Sequence, residues 1–151
     1  MDNQNPNTHK QFAMDCFNQV WDILENKQRT PQEEEDMIHM CHSSFWHWTR
    51  VEDHTQRNLS IGYWQLSRVY AVVGQGDQAL RYAKRCITVG SSASLEPFYI
   101  GYGYEAEARA YLVLGDKERA LASKESAGLY LDKVTEQESR NMLALDLDSL
   151  S

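Results

Sequence analysis

One stretch of the chain occurs twice. Residues 62–80 read GYWQLSRVYAVVGQGDQAL, and residues 103–121 read GYEAEARAYLVLGDKERAL. At an offset of 41 the two align without a gap, so that Gly62, Tyr63, Arg68, Tyr70, Val72, Gly74, Ala79 and Leu80 recur as Gly103, Tyr104, Arg109, Tyr111, Val113, Gly115, Ala120 and Leu121. Self-similarity of this kind constrains architecture more than any single residue can. One unit cannot bury its apolar face alone and must stack on its neighbour. In each copy a glycine turn, Gly74-Gln75-Gly76-Asp77 or Gly115-Asp116, separates two helical patterns. Glycine supplies the left-handed residue that ends a helix and lets the chain reverse. Each repeat is therefore expected to be a helix pair, 56–73 with 76–89 and 95–114 with 116–131.

The flanks extend the same pattern. Phe12, Cys16, Phe17, Val20, Trp21 and Leu24 follow 3.6-residue spacing, which predicts an amphipathic helix over 9–27 behind a loose tail of residues 1–8. Thr30-Pro31-Gln32-Glu33 is a complete helix start, with Thr30 capping, Pro31 in the first turn and Glu33 reaching back, and opens a helix over 31–50. On that helix Met37, Met40, Cys41, Ser44, Trp48 and Val51 gather on the expected core side, while Glu35, His39, His42 and Trp46 form a stripe opposite. Val89-Gly90-Ser91-Ser92-Ala93-Ser94 reads as a loop between the repeats. Thr135-Glu136-Gln137-Glu138 reads as a second capping box opening a last helix over 135–149. Its Met142, Leu143, Leu145, Leu147 and Leu150 cannot all face one way, so this end should pack on the repeats or on another subunit. No β-type alternation of any length occurs. The expectation is an all-α single domain over 9–151, with about seven helices.

Composition removes several classes of function. A net charge of −7 argues against nonspecific nucleic-acid binding or attachment to anionic membranes, which need clustered Lys and Arg. Cysteines at 16, 41 and 86 are odd in number and contain no CxxC pair, so neither a disulfide framework nor a zinc finger is indicated. The polar start MDNQNPNTHK has no apolar h-region, and no apolar run approaches the ~20 residues that span a bilayer. A cytoplasmic setting is expected.

The repeat resembles tetratricopeptide repeats, whose helix pairs carry an aromatic, a Leu, a small residue and a Tyr on the first helix, then Gly, then Ala positions on the second. Tyr63, Leu66, Ser67, Tyr70, Gly74, Ala79, Ala83 and Cys86 match in the first copy; Tyr104, Ala108, Tyr111, Gly115, Ala120 and Ala127 match in the second. The period of 41 departs from the usual 34 or so, and Glu107 and Lys124 stand at normally apolar positions. The HxSxxHW run at His42, Ser44, His47 and Trp48, with GYWQLSRVYA at 62–71, ALRYAKRC at 79–86 and YEAEARA at 104–110, is similar to a group of small, uncharacterised bacterial proteins of this type. The resemblance implies a right-handed superhelix of antiparallel helix pairs whose first helices line a groove for a peptide or protein.

Carried over by position, Trp64, Arg68, Tyr104, Glu105 and Arg109 would belong to that groove. Two Arg in register could hold an acidic group beside Trp64, or Glu105 could pair with them and make the cluster purely structural. Carboxylate-clamp members of the family use Lys and Asn at such places, and this chain does not. His39, His42, Trp46 and His47 are candidates for an interface or a pocket. A metal is disfavoured because one helix offers at most three ligands and no second His or Cys cluster exists. Cys41 beside His42 does not make a nucleophile pair, since consecutive helix residues point about 100° apart. No GxSxG, P-loop or dinucleotide fingerprint occurs. The expected function is a non-enzymatic interaction or scaffold module without cofactor, and either the Trp46 face or the Leu-rich last helix could carry a homodimer. The alternative is a small-molecule or metal pocket lined by His42, His47, Trp64, Arg68, Tyr104 and Glu105.

Overall fold

A computed structural model describes residues 6–150, with side chains from residue 8 onward. These residues form seven α-helices and no strand: α1 (Pro6–Glu25), α2 (Pro31–Arg50), α3 (Gln56–Val72), α4 (Gly76–Ser92), α5 (Pro97–Val113), α6 (Lys117–Leu131) and α7 (Gln137–Asp148). α1 already begins at Pro6, inside the stretch expected to be a tail; residues 1–5 of that stretch lie outside the described residues. None of the described helices is long and apolar enough to cross a membrane.

Local chemistry sets most helix ends. Thr30 and Glu33 exchange the two bonds of a capping box, Glu33 N–H to Thr30 Oγ1 at 3.1 Å and Thr30 N–H to Glu33 Oε1 at 2.9 Å. Thr55 and Asn58 do the same at the start of α3. Two ends differ from expectation. α4 does not stop at Val89 but runs to Ser92, and Gly90 within it makes room for α5: a Cβ there would meet Ile100 Cγ1 at 3.1 Å. The turn follows later, at Ser94 (φ 51°), with Leu95 N–H bonded to the Gly90 carbonyl. At α7 the cap is Glu136 rather than Thr135. Its carboxylate takes the amides of both Glu138 and Ser139, at 3.2 and 2.6 Å, and a charged acceptor outcompetes a hydroxyl for such donors.

Consecutive helices pack as hairpins, α1 with α2, α3 with α4 and α5 with α6. α2 joins α3, α4 joins α5, α3 also touches α5, and α7 closes against α5 and α6. The repeated residues mark the crossings. Gly62 lies under Phe45 of α2, and Gly103 lies under Ile87 of α4, where a Cβ would fall 2.7 and 2.9 Å from the neighbouring side chain. Gly74 and Gly115 hold φ of 84° and 79°, the left-handed turns between paired helices. Tyr63 stacks on Tyr82 and Tyr104 on Tyr130.

Two main clusters form the core. Val20, Met37, Cys41, Leu66 and Val69 close α1–α3, while Tyr102, Ala108, Ala127, Leu143, Leu147 and Leu150 close the C-terminal end. The apolar residues of α7 and the segment after it divide: Leu143, Leu147 and, beyond the helix, Leu150 are buried, whereas Met142 and Leu145 remain exposed.

Candidate functional site: an aromatic cleft over a buried ion-pair network

Helical spacing lines one cleft chiefly from four helices, with Cys86 of α4 at its floor as a fifth contribution. Phe17, Trp21 and Glu25 follow each other by one turn on α1; Ile61 and Trp64 do so on α3, Phe98 and Tyr102 on α5, and Met142 and Asp146 on α7. Residues three or four apart share a helix face, so each helix turns one short stripe toward the same space. The cleft encloses about 580 Å³. Its aromatic wall is continuous: Trp21 to Trp64 (centroids 5.4 Å), Trp64 to Tyr102 (5.6 Å, 76°), and Tyr102 to Phe98 (5.1 Å, 74°). The two edge-to-face pairs, Trp64–Tyr102 and Tyr102–Phe98, add about 0.5–1.5 kcal/mol each beyond the area they bury. A second cavity of about 220 Å³, lined by Met14, Asn18, Trp48 and Asn58, shares Phe17 and Ile61 with the first. The two lie side by side along α1 and together are termed the trough.

Beneath Trp64 lies a closed polar network. Glu105 is wholly buried. It accepts from the Trp64 indole at 3.3 Å, from Arg68 Nη2 at 3.4 Å, and from Arg109 Nε and Nη2 at 3.0 and 2.7 Å. The Arg68 guanidinium also lies 5.2 Å from the Trp64 ring centroid. Trp64 and Glu105 occupy equivalent places in the two repeats, so the repeat itself brings them together. Arg68 and Arg109 face an internal carboxylate, the self-satisfied arrangement that the sequence left open.

At the other end Tyr102 donates to Asp146 Oδ2 at 2.6 Å. Burial, then the bond to Asp146 and its charge, push the phenol far above its ordinary range, so it remains a donor. Glu25 and Asp146 are the ionisable carboxylates of the lining.

The other candidate residues lie elsewhere. Tyr104 stacks on Tyr130 at 5.7 Å. His39 is exposed beside Glu35 (3.6 Å). His42 leaves the stripe expected on α2 because α3 and α4 cover that flank; its Nε2 is 2.8 Å from the Tyr70 hydroxyl and its ring stands edge-on to Tyr70 and Tyr82. His47 shares a bond with His9, Nδ1 to Nδ1 at 2.9 Å, and packs on Phe12. Trp46 is half exposed, between His9 and Arg50. Thus Trp64, Arg68, Glu105 and Arg109 come together, while His42, His47 and Tyr104 do not join them. Among the described residues no three His, Cys, Asp or Glu side chains converge as a metal site would require. Burial pushes the Cys41 and Cys86 thiols up to about 12, so both are protonated at neutral pH and inert as nucleophiles.

No known protein-family model matches this chain, and neither a curated protein nor a solved structure matches it.

Two histidines of α2, His42 against α3 and α4 and His47 against α1, give a pH dependence. Burial first, and then the neighbouring His39 or His9, lowers His42 and His47 below the ordinary 6.5. A base that is harder to protonate when folded leaves stability fully present above about 6.5, where both states are neutral, and removes it as pH falls below that value because the unfolded chain binds protons first. Thermal melts should therefore fall between about pH 7 and pH 5, and His42→Asn with His47→Asn should flatten the slope. An unchanged slope in the folded double variant would contradict this assignment.

Proposed function

We propose that the protein is an interaction module of tetratricopeptide-like type, taking a peptide segment of a partner protein into the trough lined by α1, α3, α5 and α7. The observation that carries this reading is that the two cavities adjoin at Phe17 and Ile61. A volume of about 580 Å³ alone would equally suit a small molecule. The adjoining cavity at Met14 and Trp48 makes the combined lining elongated. From Met14 to Glu25 the trough follows roughly 16 Å of helix, the span of about five extended residues. Aromatic walls suit such a ligand because they supply large contact area at little loss of side-chain freedom. The first helices of successive pairs sharing one side is consistent with the superhelical arrangement that the repeat implies. Closure of Arg68 and Arg109 onto Glu105 favours apolar anchoring over recognition of an acidic group.

The test is selection from a displayed random-peptide library, followed by titration of selected peptides against wild type and Trp21→Ala. Trp21 lines the trough without bonding to Glu105, so its removal should spare the fold, as circular dichroism would verify. Affinity should fall at least about ten-fold, the scale of a central aromatic anchor. Equal binding by the folded variant, or no selected peptide, would refute the reading.

A further inference from the structure

The trough has a charge as well as a shape. Its ionisable carboxylates, Glu25 at the end of α1 and Asp146 on α7, belong to the same cleft as Trp21, Trp64 and Tyr102. Among the described residues neither lies within ion-pairing distance of a Lys or Arg. Arg29, Arg57 and Arg68 are engaged with other carboxylates, Glu34 at 3.5 Å, Glu96 at 2.9 Å and Glu105 at 3.4 Å, while Lys27, just beyond Glu25, is exposed and forms no ion pair with it. Tyr102 fixes Asp146 by a neutral hydrogen bond that leaves its charge uncompensated. An aromatic wall flanked by uncompensated carboxylates is complementary to a cation. Ring faces attract it through their quadrupole, and the carboxylates supply charge-assisted bonds.

We infer that the peptide segment bound in the trough carries a basic side chain, Lys or Arg, whose cation sits between Glu25 and Asp146 against the Trp21–Trp64–Tyr102 wall, with its apolar neighbours running toward Phe17 and Ile61. The inference rests on the peptide-binding reading above. It specifies the opposite charge to the acidic ligand that paired arginines would take. The chain's net charge of −7 adds long-range attraction for the same ligand.

The test uses peptides selected on the full chain. They should share a Lys or Arg next to an aromatic or aliphatic residue. Replacing that base by norleucine should weaken binding about ten-fold on wild type. It should cost little further on Glu25→Gln/Asp146→Asn, because the two changes remove the same interaction. Asn at 146 keeps an acceptor for Tyr102, and Glu25 is exposed, so the variant should fold. Binding to wild type should also weaken as salt is raised from about 0.05 to 0.5 M. Selected peptides that need Trp21 but lack a common base, or that keep full affinity with norleucine, would overturn the inference and leave the module reading intact. Basic peptides indifferent to the double variant would overturn it too. Absence of any selected peptide would overturn both.

Discussion

Glu105→Ala is expected to destabilise the protein by about 3–5 kcal/mol, the cost of removing one partner from a buried ion pair. The carboxylate is completely shielded, while the Arg68 and Arg109 side chains are 15% and 22% exposed. Deleting it would leave two guanidinium groups facing each other with no counter-charge, and the Trp64 indole without its acceptor. Glu105→Gln keeps an acceptor but not the charge, so it should fall between wild type and alanine. Replacing Arg68, Glu105 and Arg109 together by Met, Leu and Met should cost less than Glu105→Ala alone, since apolar residues of similar size need no desolvation of charge. Urea unfolding would order the three variants. A loss under about 1 kcal/mol for Glu105→Ala would mean that the network is solvated rather than closed.

Leu143→Ala should cost about 2–5 kcal/mol, the range for truncating a fully buried leucine. Leu143 is completely inaccessible and packs among Tyr102, Ala108 and Ala127. Its methyls also fill the space above Gly101, where a Cβ would come within 2.8 Å of Leu143 Cδ2. The consequence reaches the trough, because α7 also carries Met142 and Asp146. Loosening α7 should raise amide exchange across residues 137–148 before the rest of the chain and weaken any ligand that touches Asp146. Leu145→Ala, on the outer side of the same helix and 70% exposed, should change stability by under about 0.5 kcal/mol. Equal effects of the two substitutions, read by thermal or urea unfolding, would contradict the packing of α7.

The features legible in the sequence were those fixed by local chemistry. The helix-pair boundaries at Gly74 and Gly115 follow from a backbone conformation that glycine adopts freely, and the α2 start follows from the Thr30–Glu33 capping box. Where the outcome depends on what lies opposite, composition misleads. Gly90 and its serines look like a loop, yet Gly90 is helical and its bare backbone is where Ile100 packs. His42 lies on the polar side of a wheel, yet Tyr70 and Tyr82 come from the next hairpin to cover it. The site divides in the same way. Arg109 is one turn from Glu105, and Arg68 and Trp64 stand in the equivalent repeat, so that cluster was visible as a pattern. Trp21, Phe98, Tyr102 and Asp146 lie on helices far apart in the chain and meet only after packing. The spacing of Phe17 with Trp21 and of Phe98 with Tyr102 was the available signal, but each reads equally well as ordinary core.

The most direct test of the trough uses its own tryptophans. The chain has four, and the structure places them differently: Trp21 and Trp64 in the large cavity, Trp48 in the smaller one, and Trp46 away from both, beside His9 and Arg50. Indole N–H resonances followed by heteronuclear NMR during titration with a selected peptide should move for Trp21, Trp48 and Trp64 and stay fixed for Trp46. Shifts centred on Trp46, with Trp21 and Trp64 unmoved, would place binding on the outer face of α2 and contradict the account.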